Sequence, residues 1–222
     1  TTKLNVILTT ISKQPEVISN PIFVAGGVML LVGFLFKIAA APFHMWTPDV
    51  YEGAPTVITG FMSTGAKAAA FSAFVLLFAH QVFGMSNIKI ALSVVAAASM
   101  IFGNIVAISQ TNIKRMLAYS SVAHAGYMLT GLAAANELGR TGIIFYLAAY
   151  TFMNLGAFGI ISILEDKEER NLTIDDYAGL GTKKPVLAGL MAIFMFSLSG
   201  IPPFAGFLGK YYVFAAAVQA DL

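Results

Sequence analysis

The chain of 222 residues contains no cysteine, and only 11% of its residues are charged. The first absence excludes disulfides, thiolate metal sites and cysteine-bound iron–sulfur clusters within these residues. The second excludes an ordinary soluble domain, where about 25% of residues are charged. Histidine is scarce: His44, His80 and His124 are scattered, which gives no cluster for a metal ion. No glycine-rich loop of the P-loop type is present. A net charge of +2 offers nothing to attract nucleic acid. The opening residues, TTKLNVILTTISKQPEV, hold neither an initiator methionine nor a signal peptide. The chain is therefore expected to be a fragment of a longer one.

What remains is apolar. Hydrophobic residues make up 58% of the chain, and the mean hydropathy is +0.79. This composition predicts an all-α, polytopic membrane helix bundle forming one membrane domain over residues 1–222. Six apolar segments are legible, at 21–44, 54–82, 88–109, 112–135, 141–164 and 185–219. The last is too long for one simple span and is interrupted by SGIPPFAGF at 199–207. Two adjacent prolines there remove backbone donors and clash with the preceding turn. A strongly polar loop, EDKEERNLTIDDYAGLGTKK, separates the fifth and sixth segments.

Loop cations set the orientation. Lys3, Lys13, Lys89 and Arg140 fall on one side. Lys114, Arg115, Lys167, Arg170, Lys183 and Lys184 fall on the other. The excess favours the second side as cytoplasmic, together with the loop WTPDVYEGAP and the acidic loop.

Three lysines do not sit in loops. Lys67, within STGAKAAAF, has no charged residue in 54–66 before it or in 68–79 after it. An ammonium at that depth costs about 2.5–3.5 kcal/mol on insertion scales. Lys37 lies five residues before Pro42, and a stem reaching the interface accounts for it equally well. Lys210 follows the break marked by Gly200, Pro202, Pro203 and Gly206. Discontinuous membrane helices are where transporters place ion sites, because unwound backbone offers free dipoles. Both breaks are expected to unwind beside their lysines.

Polar residues recur at helical steps. Thr56, Gly60, Ser63, Thr64 and Lys67 share one face, as do Ser120, Ser121, His124 and Tyr127. Tyr146, Tyr150 and Asn154 form a third stripe, and Ser93 with Asn104 a fourth. Each alone could be interhelical hydrogen bonding. Together with the lysines they suggest a hydrated file inside the bundle. His124 is a candidate relay, because imidazole titrates near neutral pH. Ser120, Ser121, Tyr127, Tyr150 and Asn154 are candidate intermediates, able to pass or hold protons through hydroxyls, amides and waters. His44 and His80 read as interfacial. Desolvation disfavours an ammonium against the free amine, and two coupled ammoniums repel. A row of buried lysines can therefore take up and release protons.

The motifs carry a resemblance. FKIAAAPFHMWTPDVYEGAPT at 36–56, ISQTNIKRMLAYSSVAHAGYM at 108–128 and SLSGIPPFAGFLGKYYVF at 197–214 resemble three signatures of the antiporter-like subunits of respiratory complex I. The TPDVYEG form and the lysine in GFLGKYY point to one branch of that group, others tending to carry an acidic residue at the third motif. The resemblance covers nearly the whole chain. It implies a proton-translocating membrane subunit of NADH-quinone oxidoreductase, in a bacterial inner (plasma) membrane, packed against other membrane-arm subunits. NADH, flavin, iron–sulfur clusters and quinone would belong to the rest of the complex, with no cofactor or redox centre in this chain. Lys37, Lys67 and Lys210 match the family's lysine positions. A glutamate expected on an earlier helix has no counterpart in these residues. The fold implied has two inverted five-helix repeats. A subunit of a cation/proton antiporter complex, sharing the fold, is the alternative.

Overall fold

Backbone in hydrocarbon must satisfy its own hydrogen bonds, which leaves helix as the element for these apolar runs. The computed structural model of the protein describes residues 3–13, 16, 20–78, 86–165 and 172–222, and helix dominates them. The elements are α1 (Leu4–Lys13), α2 (Pro21–Lys37), α3 (Trp46–Gly53), α4 (Thr56–Phe61), α5 (Lys67–Phe78), α6 (Ser86–Ile108), α7 (Ile113–Ala134), α8 (Glu137–Leu164), α9 (Leu180–Lys183), α10 (Pro185–Ser199) and α11 (Ala205–Gln219). A π-turn at Met62–Ala66 joins α4 to α5, and a 3₁₀ turn spans Ile174–Tyr177. The runs Thr56–Leu77, Ile88–Ile108 and Glu137–Leu164 are long and apolar enough to cross a membrane. His80, Lys167 and Arg170 lie outside the described residues.

Asparagines start the helices. Asn20 accepts from the Ile22 amide with Pro21 at the first helical position, where a missing N–H costs nothing. Asn112 accepts from the amides of Lys114 and Arg115, and Asn136 from that of Gly139. Each satisfies donors that a helix start leaves orphaned. Asn136 also ties α8 to α11, its Nδ2 donating to the Ala216 carbonyl at 2.9 Å.

Residues 46–53, a loop by their polar sequence, instead form α3. Pro48 sits in the first turn, where proline is tolerated, and Asp49 there complements the helix dipole. The first span is also shorter than 21–44, because α2 ends at Lys37. Ala39 then adopts a left-handed φ of 60°, and the Ala41 amide donates to Ser99 Oγ on α6 at 2.8 Å. The break at 199–207 separates α10 from α11.

The core centres on α7, most of whose side chains are buried. α3, α6, α8 and α11 pack around it. Small residues let α6 and α7 touch nearly backbone to backbone, the usual membrane packing mode. A Cβ placed on Gly103 of α6 would stand 2.7 Å from the Ala123 amide nitrogen of α7. At the start of α7, the short antiparallel bridge Asn112–Thr173 docks the polar loop. The Ile113 amide donates to the Leu172 carbonyl, and the Ile174 amide to that of Thr111.

Gly103→Ala is therefore expected to lower the thermal midpoint of the purified protein, by an overpacking cost of about 1–3 kcal/mol. Gly26→Ala, whose Cβ would meet nothing within 4 Å, leaves the midpoint unchanged. Asn136→Ala loses both cap and tie and should cost about 1–2 kcal/mol. Asn136→Asp keeps the cap alone and should cost less; equal losses in the two would show that the Ala216 contact contributes everything.

Candidate functional site

On α7, Ser121, His124 and Tyr127 follow at three-residue steps and share a face. Each meets a different partner. The Ser121 carbonyl accepts from Lys67 Nζ at 2.5 Å. His124 Nδ1 lies 2.8 Å from the Tyr146 hydroxyl of α8, and its ring sits 5.0 Å from that of Tyr150 and 5.7 Å from that of Tyr127. The Tyr127 ring in turn faces the Lys210 ammonium, 4.6 Å from its centroid. His124 is buried between the two lysine contacts.

Lys67 is 1% exposed and follows the π-turn directly; such turns are frequent at functional sites. Ser63 and Thr64 within the turn both donate to the Gly60 carbonyl, at 2.8 and 3.0 Å. Ser63 Oγ accepts from Asn154 Nδ2 at 2.6 Å, and Asn154 also donates to the Tyr150 hydroxyl at 3.1 Å. The α8 stripe is thus tied to the turn that presents Lys67.

Lys210 approaches the other break. Its Nζ donates to the carbonyls of Leu198 and Ser199 at 3.0 and 2.9 Å. These are the last carbonyls of α10, orphaned by the helix end and at the negative pole of its dipole. Gly200 has φ of 85°, and a Cβ there would stand 3.0 Å from Lys210 Nζ. Glycine serves twice, allowing the left-handed turn and leaving space for the amine. The Gly206 amide closes the break, donating to Ser197 Oγ at 3.2 Å.

Other residues fall differently. Lys37 is exposed at the end of α2. It lines an open apolar groove of about 670 Å³ with Ala66, Ala69 and Ala70 beside Lys67. Ser120 is half-buried beside the line. Asn104 donates to the Tyr127 hydroxyl at 3.0 Å, whereas Ser93 bonds the Lys89 carbonyl of its own helix. His44 is buried rather than interfacial, its ring 4.6 Å from that of Phe102, because the turn after Pro42 folds back against α6. No group of three acidic or histidine side chains suited to a metal ion occurs among the described residues.

Lys114, a loop cation by sequence, is instead fully buried. Its Nζ donates to the Ala54 carbonyl at 2.7 Å. The signal was its place two residues after the Asn112 cap, which makes it the second helical residue, on the face that bears Leu117, Ala118 and Ser121. Ser121 Oγ, Thr47 Oγ1, Thr56 Oγ1 and the Tyr177 hydroxyl are buried without a hydrogen-bond partner among the described residues. Tyr177 lies in the polar loop, where burial pushes its phenol up to about 12.

The family described as NADH:quinone oxidoreductase/Mrp antiporter, TM, matches residues 1–222. NADH-quinone oxidoreductase subunit N from Trichlorobacter lovleyi is 55% identical over 206 residues, covering 91% of this chain and 42% of that protein. Subunit N from Salinibacter ruber is 53% identical over 203 residues, 90% of this chain and 40% of that protein. A chain of respiratory complex I from Thermus thermophilus aligns at a TM-score of 0.79 with 41% identity, covering 91% of this chain and 44% of that one. A chain of the Mrp complex from Dietzia aligns at 0.83 with 28% identity, covering 91% and 38%. Subunit N is the branch to which TPDVYEG and Lys210 point, and the chain spans less than half the length of these relatives. The chain belongs to the NADH:quinone oxidoreductase/Mrp antiporter transmembrane family.

Proposed function

We propose that the chain is the proton-carrying part of a subunit N of NADH-quinone oxidoreductase, coupling NADH-to-quinone electron transfer to proton pumping. The single observation that carries this reading is the sequence of contacts along α7. Lys67 meets Ser121, His124 lies one step on, and Lys210 meets Tyr127 one step further. Identities of 53–55% to subunit N over nine tenths of the chain support the assignment of branch.

In this mechanism Lys67 and Lys210 exchange protons and His124 lies between them. Tyr146 fixes the imidazole by its hydrogen bond to Nδ1. Ser121 Oγ, buried beside the Lys67 contact and facing the Tyr51 and Tyr150 hydroxyls, is a site where a water could bridge them. Lys37 enters the path through the groove it shares with Ala66. Tyr150 and Asn154 hold the π-turn and Ser120 flanks the line. Pro42, Gly200, Pro202, Pro203 and Gly206 keep the backbone broken where lysines approach. The redox cofactors NADH, flavin, iron–sulfur clusters and quinone sit in other subunits. The other membrane-arm subunits are its partners in a bacterial inner membrane. The Mrp complex chain, with its TM-score of 0.83, favours a second reading as a cation/proton antiporter subunit.

In the assembled complex, Lys67→Ala should reduce NADH-driven proton pumping to background while assembly persists; normal pumping in an assembled variant would sink the proposal. Lys67→Arg should also impair it, because a guanidinium with a pKa above about 12 does not release its proton. His124→Ala should give a partial loss, within about tenfold, because water substitutes for a relay member. Sodium-dependent transport independent of NADH would decide for the antiporter reading.

A further inference from the structure

The buried Lys114 has no part in the line just described. It belongs to the first turn of α7 with Arg115, and no acidic residue accompanies them there. Cations at a helix N-terminus oppose its dipole, so helix stability does not explain two of them in succession. Their contacts do. Arg115 Nη1 reaches Asp49 Oδ1 and Glu52 Oε2 of α3, both at 2.7 Å. Asn112 Nδ2 adds a bond to Glu52 Oε1 at 3.3 Å. Lys114 Nζ, beneath them, donates to the Ala54 carbonyl, in the turn between α3 and α4. Thr59 Oγ1 also bonds that carbonyl, at 3.3 Å.

Ala54 caps the end of α3 and lies two residues before Thr56, where the helix carrying Lys67 begins. α4, the π-turn and α5 run on from it without interruption. Two lysine-to-carbonyl bonds therefore join this helix to α7, in opposite senses. Lys114 of α7 holds the start of the Lys67 helix, and Lys67 holds Ser121 of α7. On α7 the two attachment points, residues 114 and 121, are two turns apart on one face. Two such points fix the register of two helices, whereas one leaves them able to slide.

We propose that Lys114 is a positioning residue: its ammonium staples the start of the Lys67 helix to α7 and so holds the Lys67 amine against Ser121 while Lys67 exchanges its proton. This rests on the reading of Lys67 as a proton carrier. When Lys67 gives up its proton its own hold on Ser121 weakens, and the Lys114 bond keeps the register until it is reprotonated. Arg115, with Asp49 and Glu52, closes the staple from the solvent side.

The test uses the intact complex in membranes, comparing Lys114→Met, Lys114→Arg and Lys67→Ala for assembly, NADH oxidation and protons pumped per NADH. Lys114→Met should assemble, since the Arg115 pairs remain, and lose pumping by about tenfold or more, the scale on which small misplacements are felt. Lys114→Arg, which keeps the cation and its donors, should restore most of it. Full pumping by the Met variant, or equal loss in the Met and Arg variants, would overturn the staple. If the Met variant fails to assemble, Lys114→Gln, which keeps one donor for the Ala54 carbonyl, takes its place: partial pumping supports the proposal and failure to assemble refutes it. Normal pumping by Lys67→Ala would instead overturn the proton-carrier reading, so the two failures are distinguishable.

Discussion

An ammonium taken out of water must find oxygen, and in this protein it finds the main chain. Lys67 donates to the Ser121 carbonyl, Lys114 to that of Ala54, and Lys210 to those of Leu198 and Ser199. The salt bridges among the described residues lie instead at helix ends, with Arg115 and Arg140. The choice of partner matters chemically. A lysine paired with a carboxylate leaves an uncompensated buried anion when it loses its proton, at a cost of about 3–5 kcal/mol. A carbonyl is neutral in both states. In the proposed relay, a hydrogen bond to a charged group, worth about 1.5–3 kcal/mol, places the amine without an anion to hold its proton.

This requirement shapes the helices. Carbonyls within a regular helix already accept from the next turn. Spare ones occur where regularity fails, and two of the three lysines sit at such places. Lys210 takes the last carbonyls of α10, exposed because Gly200 turns left-handed. Lys114 takes the carbonyl of Ala54, just before Pro55, in the turn between α3 and α4. Lys67 departs from this pattern. It bonds a carbonyl in the middle of α7, and the irregularity lies in its own helix, in the π-turn that precedes it. The breaks are therefore where the lysine chemistry is placed, and α7, to which Lys67 attaches, is held against α6 by close packing at Gly103.

Much of this was legible in the sequence. An uninterrupted apolar run around Lys67 leaves no interface for its amine to reach, so its burial follows from composition. The proline pair and Gly200 announce a helix end near Lys210. The steps from Ser121 to His124 to Tyr127 follow from helical period alone. Other features were not legible. Lys114 looked like a loop cation because the start of a helix and the edge of a membrane coincide in sequence, and only α3 packed over it removes it from solvent. α3 itself is polar enough to read as loop, because it carries Asp49 and Glu52 for Arg115 rather than an apolar stripe. The π-turn has no residue signature: MSTGA would serve equally well in a regular helix.

The arrangement on α7 also limits how the lysines can act together. Lys67 and Lys210 attach to it six residues apart, roughly 9 Å along its axis by the rise of a helix. Between them stand His124 and the rings of Tyr127, Tyr146 and Tyr150, and among the described residues no carboxylate that could neutralise both. Two ammoniums at opposite ends of such a short, poorly solvated stretch repel, so a proton held at one end disfavours a proton at the other. The break at Gly200 offers two carbonyls to Lys210, while α7 offers one to Lys67. The ammonium form is therefore held by more hydrogen bonds at the Lys210 end. In the proposed relay the two ends therefore differ in how many main-chain oxygens hold the amine, two at the end of α10 and one within α7.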